Sequence, residues 1–506
     1  MDKTSPRIGK PTPEKNITVE LTGVKIKIPR EGLTLEALEG MIFDITRAIG
    51  QRAMVEALER YDEMLKNERA RGLLKNVSKK IKYVQTRVGE ICYRRRLYKE
   101  RDTGKARYLL DEQLKMHRNQ RMSLKISQIF GTLASMEAYR GVAEQIGMLL
   151  GVTYSHEAIR RNVIKEGLRI EGQEKRELEK VKLLDYKLPK EIPAVLYTET
   201  DATYIRKQTK GKKKPKKRHF EVKIGINYTG KENRYKAGEK ASKKLTRKSI
   251  YTGIMVGRNK FLENLSYISE RDYGLSAVRK SYFGGDGDRW IRTGKGDYFP
   301  MSEYLLCPYH LFRRLREAFG GRKEEQNRIK GLLEEIKIEE ALEAIKEIIG
   351  ETSEEKQRTL MSEYYVYVRN NRDGIESSMR LRMDKAGRGA GAVEPNIDKT
   401  IVHRFKRRGM SWSADGATAL LKIRQVISNN EWDDWWYERR DKKIEIKAIF
   451  KNPLTSKQAC KRQDVMPYIE ATLPCYRGPD QSKPWVGVVR ELSRANLLKE
   501  KLITIE

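Results

Sequence analysis

The sequence is short of the residues that hold most protein-bound metals. Its four cysteines, Cys92, Cys307, Cys460 and Cys475, form no Cys-x-x-Cys pair, and there are only five histidines. That spacing builds neither a zinc cage nor a disulfide framework. Free thiols in a reducing cytoplasm are therefore expected. Long apolar runs are missing too: no stretch of 18 apolar residues occurs, so no membrane-spanning helix is expected. The opening "MDKTSPRIGKPTPEKN" has no apolar segment, which argues against a secretory leader.

Positive charge is abundant. Lys and Arg number 105 against 70 Asp and Glu, a formal net charge of +35. Such an excess selects a polyanion, because each phosphate met by a Lys or Arg releases condensed counterions. DNA is the expected partner, and nonspecific binding to RNA or a membrane surface is the competing reading. At 506 residues the chain is too long for one ordinary core, so several domains are expected.

Residues 1–30 form a basic tail with room for one strand, and residues 31–185 read as a DNA-binding region. Its first segment, Leu33 to Leu74, is helical in pattern. "KYVQTRVGEICYRRRLYKERDTGKARYLLDEQL" then alternates like strands, with the turn expected at Asp102–Gly104. Arg94, Arg95 and Arg96 on this basic hairpin are candidate DNA contacts, although a charged edge also keeps sheets from pairing with one another. Two helices with a glycine between them, about residues 138–167, fit a helix-turn-helix. Val142, Ile146 and Leu149 would be buried on the first, Gly151 would end it, and Ser155 would cap the second over Ile159 and Val163. His156, Arg160, Arg161 and Lys165 would then face a major groove.

The pattern turns to strands over residues 190–310. "IPAVLYTETDATYIRKQ" and "FEVKIGINYTGKE" read as a hairpin whose tip carries Lys212, Lys213, Lys214, Lys216, Lys217 and Arg218, candidate phosphate contacts. "KSIYTGIMVG" and "LSAVRKSYFGGDGD" are further strands, and "NKFLENLSYISERDY" is a helix. Residues 311–372 read as a helical insertion, with Ile338, Leu342, Ile345 and Ile349 spaced 4, 3 and 4 apart. Gly350 would stop that helix and Thr352–Glu355 would form a capping box for the next. Residues 373–450 return to the strand-rich region, and 451–506 form a C-terminal segment. Trp432, Trp435 and Trp436 point to an anchored helix or a protein contact.

Three carboxylates stand out by context. Asp201 lies inside a strand, where aspartate is disfavoured; Asp286 follows a strand in "GGDGD"; Glu394 begins a helix held open by Pro395. Gathered together, they would make an oxygen site for Mg²⁺ or Mn²⁺. Two such ions suit phosphodiester chemistry. Asp288, Glu199 and Glu376 compete for the same roles, and each carboxylate also has a plain reading as turn, strand or helix-start acid.

"YTETDATYIRKQ", "GGDGDRWI", "LLCPYHLFRRL" and "GAVEPNIDKTIVHRFKRRGMSWSADGA" together resemble blocks of DDE transposases of the Lre-type bacterial insertion-sequence family. The resemblance covers nearly the whole chain. It implies an α/β multidomain protein: an RNase H-like mixed-sheet catalytic domain with an all-α insertion, behind a helical and hairpin DNA-binding region with the helix-turn-helix. It implies Mg²⁺ (with Mn²⁺ able to substitute), two ions in all, held by Asp201, Asp286 and Glu394, which would be both catalytic and metal-binding. His310 and Asp288 would be accessory residues near that site. The chain departs from the family pattern at Cys307, where an acid is expected. The implied activity is cleavage at the element's terminal inverted repeats, then 3′-hydroxyl attack on target DNA by a homodimer or larger assembly. A bacterial cytoplasmic protein, nucleoid-associated on DNA, is expected. The alternatives are a catalytically silent DNA-binding descendant, an RNase H-like nuclease that cuts without joining, and a basic RNA-binding factor.

Overall fold

A computed structural model describes residues 28–29, 34–69, 72–208, 218–234, 242–383, 391–437 and 502–503. Lys212, Lys213, Lys214, Lys216 and Lys217, with most of the 1–30 tail and of the 451–506 segment, lie outside the described residues. Those described form two units: one draws on residues up to 127, on 144–154 and on 502–503, the other on 128–143 and 155–437.

In the first unit, β1 (Ile28–Pro29) precedes a long helix. The Thr34 hydroxyl accepts the Ala37 N–H at 3.2 Å and starts α1 (Leu35–Glu68). β2 (Leu74–Thr86) and β3 (Gly89–Glu100) follow as an antiparallel pair in which Thr86 meets Gly89. The hairpin turn is therefore Arg87–Val88, not Asp102–Gly104. The latter returns the chain only to the short β4 (Ala106–Arg107), with Gly104 at φ +67°. α2 (Leu109–Gln113) completes a core of Val55, Leu65, Val84, Ile91, Tyr93 and Leu110.

The division between units passes through α3 (Leu124–Ala134) and α4 (Tyr139–Leu150). Gly151 stands at φ +59° after α4, and Ser155 caps α5 (His156–Lys182) by accepting the Ala158 N–H at 3.1 Å. Val142, Ile146, Ile159 and Val163 are buried, but Leu149 is exposed, because α4 buries only its Val142–Ile146 side. A boundary at residue 185 is not seen. α5 runs on to Lys182 and stays with the second unit, held there by the Lys422–Glu174 ion pair at 2.5 Å.

That unit is mixed α/β, built on a five-stranded sheet of order β11-β10-β5-β6-β9. β5 (Val195–Arg206) is central and antiparallel to β6 (His219–Tyr228). β7 (Gly230–Arg234) and β8 (Ser242–Thr246) form a separate ribbon. β9 (Ser249–Ile254) returns antiparallel to β6. After α6 (Arg258–Tyr273), β10 (Lys280–Gly285) lies parallel to β5; α7 (Arg289–Tyr298) then leads to β11 (Glu303–Leu306), parallel to β10. Phe261, Leu262, Phe283, Trp290 and Phe299 form one core against this sheet, so Trp290 packs inside rather than facing solvent.

The helical insertion runs from Pro308 to Met383, wider than the 311–372 read from the sequence. It comprises α8 (Pro308–Phe319), α9 (Lys323–Glu334), α10 (Ile338–Glu351), α11 (Glu355–Asn370) and α12 (Arg372–Met383). The insertion has its own core, including Leu315, Leu342, Ile345, Met361 and Val368. No capping box forms at Thr352: its hydroxyl donates back to the Ile348 carbonyl at 2.7 Å, which satisfies the end of α10 instead.

The chain closes with α13 (Val393–Ile397), α14 (His403–Phe405), α15 (Ala414–Ser428) and α16 (Trp432–Tyr437), and β12 (Leu502–Ile503) pairs with β1. α15 covers the edge of the sheet: Gln425 and Asn429 accept the β9 N–H groups of Thr252 and Ile250 at 2.8 and 2.7 Å. Such cover blocks pairing with another chain. Trp436 is buried, and the Trp432 indole donates to Thr132 at 2.8 Å, so α16 is an anchored helix. No helix among the described residues is long and apolar enough to cross a membrane.

Candidate functional site

The parallel register decides which acids meet. Gly285 at the end of β10 pairs with Thr200 on β5, so the next residues, Asp286 just past β10 and Asp201 within β5, come level. The glycines of "YFGGDGD" serve this approach. A side chain on Gly285 would strike the Thr200 carbonyl and Ile291. Gly287, at φ +88° beneath Tyr367 and Leu306, takes a turn that a larger residue adopts only with strain. The Tyr367 hydroxyl donates to the Asp286 carbonyl at 2.7 Å and ties the loop to α11.

Glu394 arrives on α13, and a buried acid sets that helix in place. Glu199, on β5, is 1% exposed. One of its oxygens accepts the N–H groups of Gly391, Ala392 and Val393 at 2.9, 2.8 and 3.2 Å; the other accepts the Tyr228 hydroxyl at 2.5 Å. The carboxylate thus satisfies N–H groups that a helix start leaves without partners. Downstream, Ile397, Ile401 and Phe405 are all buried. Trp412 of "MSWS" packs on Phe405 at 4.7 Å and exchanges backbone hydrogen bonds with Arg206 and Gln208 beyond Asp201. The sequence interval between Glu394 and Trp412 is thereby pinned to β5 at both ends.

These elements open a cleft of about 530 Å³ lined by Asp201, Asp286, His310 and Glu394. Ligand atoms of Asp201, His310 and Glu394 all lie within 4.8 Å of one another. Asp286 lines the same cleft and accepts the Asp288 N–H at 2.9 Å. Burial, then the neighbouring charge of Asp286, pushes the Asp201 carboxyl up to about 8. Burial raises Asp286 as well, and burial pulls the His310 imidazole down despite the acids beside it. Clustered acids that share one cleft hold protons unless a cation replaces them. The donor set, carboxylate oxygens with a half-buried imidazole, fits a divalent ion.

The sequence-predicted residues separate clearly. Asp201, Glu394 and His310 converge, and Asp286 is level with Asp201. Asp288 is exposed, with the Arg314 guanidinium 3.4 Å from its carboxylate. Glu376 sits on α12 paired with Arg380 and lines no part of the cleft. Cys307 is fully buried at the start of α8, and burial with the Glu199 charge pushes its thiol up to about 12. It therefore supplies no anionic ligand. Three cations in the cleft were not foreseen: Arg313, Arg314 and Lys406. The first two follow His310 at helical spacing on α8, a signal visible in the sequence. Lys406, which donates to Thr203 at 2.6 Å, carried none.

Of the candidate DNA contacts, Arg95 and Arg96 require correction. The Arg96 guanidinium is buried against Asp62 at 2.7 Å and also meets Glu63. Arg95 is buried on Asp111, which Lys82 also reaches at 3.1 Å, and stacks on Tyr108 at 3.8 Å. Both arginines hold the hairpin to the helices beside it. Arg94 is exposed, as are His156, Arg161, Lys165 and Arg218, with Arg160 half-exposed. Arg160 and Arg161 share Glu157 at 2.7 and 2.9 Å, surface pairs weak enough to exchange for phosphate.

A model of an uncharacterised protein family, UPF0236, matches residues 28–440. A UPF0236 protein of Caldanaerobacter subterraneus subsp. tengcongensis is 26% identical over 83% of this chain and 83% of its own length, and its name joins eleven locus designations. A second from the same organism, 25% identical over the same shares, joins four. A Streptococcus gallolyticus relative, described as lying in the vanSb 3′ region, is 24% identical over 91% of this chain and 98% of its own.

Proposed function

The chain belongs to the UPF0236 family, and we propose that it is a DDE-type DNA transposase with an RNase H-like catalytic domain. The observation that carries the reading is the cleft beside the middle of β5 and the end of β10, where Asp201, Asp286 and Glu394 gather from three separate elements. A five-stranded sheet with two antiparallel pairings on one side of its central strand and two parallel pairings on the other, and with an all-helical insertion before the last acid, supports the fold. The relative whose name joins eleven loci supports the biology: a sequence carried in many copies of one genome is what self-directed transposition leaves behind.

Divalent ions, when bound, would lower the barrier to in-line displacement at phosphorus by charge stabilisation at the attacking and leaving oxygens. Asp201, between the other acids, would serve both ion positions, with Asp286 and Glu394 on either side. Arg313, Arg314 and Lys406 would hold the DNA phosphates over the carboxylates, and the Glu199 clamp would keep Glu394 from swinging away. No serine or tyrosine nucleophile is required, since water and then the freed 3′-hydroxyl attack in turn.

The test is incubation of the protein and Mg²⁺ with labelled DNA from the gene's own flanks, scoring cutting and joining separately. Joined products, lost in Asp201→Ala, Asp286→Ala and Glu394→Ala while DNA binding persists, are expected. Cutting without joining would favour a nuclease. Binding without cutting, in Mn²⁺ as well, would favour a catalytically silent DNA-binding protein.

A further inference from the structure

His310 stands out in the cleft because neither of its ring nitrogens is committed to the protein. Its Nδ1 is buried and has no hydrogen-bond partner among the described residues. Its Nε2 lies 3.9 Å from the Glu394 Oε2, beyond a hydrogen bond. A buried ring nitrogen left in this state is uncommon, because unpaired buried polar atoms are disfavoured. The ring is not loose. It sits in the first turn of α8, set by Pro308, and the Tyr309 ring meets it edge-on at 5.4 Å.

The second observation is convergence. His310, Asp201 and Glu394 each bring one ligand atom within 4.8 Å of the others, a few tenths of an ångström more than the roughly 4.4 Å that two opposed ligands of one ion span at about 2.2 Å each, so a small side-chain adjustment seats a single ion among them. Asp286 does not belong to this group of three. The acids alone would make an oxygen site suited to Mg²⁺, which prefers oxygen and retains its waters. Imidazole nitrogen shifts the preference toward first-row transition ions.

We propose that His310 is a direct ligand, through nitrogen, of the ion held by Asp201 and Glu394, and that it makes this position select Mn²⁺ over Mg²⁺. The inference rests on the metal-dependent reading of the cleft and adds to it the identity of one ligand and the ion favoured. A neutral nitrogen ligand adds affinity for Mn²⁺ with little gain for Mg²⁺, so the two ions are distinguished by His310 rather than by the carboxylates. The second position, beside Asp286, keeps oxygen ligands only and carries no such selectivity.

The test uses the full chain and Mn²⁺ alone, without DNA. Pulsed electron paramagnetic resonance of bound Mn²⁺ reads nitrogen hyperfine coupling directly, and calorimetric titrations compare Mn²⁺ with Mg²⁺. Nitrogen coupling in the unaltered protein, absent in His310→Gln, is expected. The same change should weaken Mn²⁺ by about tenfold or more and Mg²⁺ by no more than about threefold. Tight Mn²⁺ binding without nitrogen coupling would overturn the ligand assignment and leave the carboxylate site standing. Binding of neither ion to the unaltered chain would overturn the assignment and the metal-dependent reading together. Because the spectrum of the unaltered protein decides the matter, a variant that folds poorly does not blunt the test.

Discussion

The arginine-bearing hairpin and the carboxylate cleft both bury charge, and they treat it in opposite ways. On β3, Arg96 is matched to Asp62, and Arg95 with Lys82 to Asp111, so opposite signs close on each other. In the cleft, Asp201, Asp286 and Glu394 are brought together with the same sign, and Asp201 is driven toward protonation by burial and by Asp286. Closed pairs hold a fold. Like charges held together store a cost that a bound cation removes, which marks a functional site. A run of arginines in sequence is therefore weaker evidence for a ligand than three isolated acids on three elements.

The largest effect expected from breaking this contrast is in the cleft. Asp201→Asn should reduce strand cleavage to background, yet raise the melting temperature of the metal-free protein, since a neutral amide avoids the cost of holding a proton on a carboxyl that the unfolded chain would ionise. Differential scanning fluorimetry beside the cleavage assay checks both halves. Arg96→Ala should behave in the opposite sense. It leaves Asp62 buried and unpaired, and breaking such a pair destabilises by about 3–5 kcal/mol, readable by urea denaturation.

Glu199→Ala should come next. It releases the N–H groups of Gly391, Ala392 and Val393, and loss of such support behind a ligand lowers metal affinity or activity by about 10- to 100-fold. Calorimetry with Mn²⁺ measures it. The pH dependence is smaller and has a definite sign. Asp201 is raised from 3.8 to about 8 in the folded chain, so between those values the native state holds a proton that the unfolded state has lost. Metal-free stability should therefore fall as pH rises through that window. Ion binding displaces the proton, so stabilisation by Mg²⁺ should grow from pH 6 to 8. Melting curves with and without the ion at those two pH values check it. The smallest effect is at exposed Arg94, where Arg94→Ala should change stability by less than about 0.5 kcal/mol and lower the salt slope of DNA binding by about one.

Much of the sheet was legible because its strands carry their own signals. β5 and β6 alternate with β-favouring residues, and β10 ends in the glycines that precede Asp286. β11 has only four residues, and α7 contains two glycines, Gly294 and Gly296; each forms because a buried partner overrides weak local propensity. Asp201, Asp286 and Glu394 were readable from their contexts and from the family resemblance. The role of Glu199 was not, because its partners are backbone groups 192 to 194 residues away. The same distance problem misled the reading of Arg95 and Arg96. Their neutralising acids lie on α1 and α2, and only the tertiary fold brings them within reach. Chemistry carried by one strand end is visible in sequence, whereas the pairing of a charge is not.

The most direct test of the central claim is a titration of Mn²⁺ into the unaltered protein and into Asp201→Asn, Asp286→Asn and Glu394→Gln, followed by calorimetry. Saturable binding by the unaltered chain, strongly weakened in all three variants, is the predicted result. Unaltered affinity in the variants, or no binding by the unaltered chain, would contradict it and make the gathered acids a feature of the fold alone.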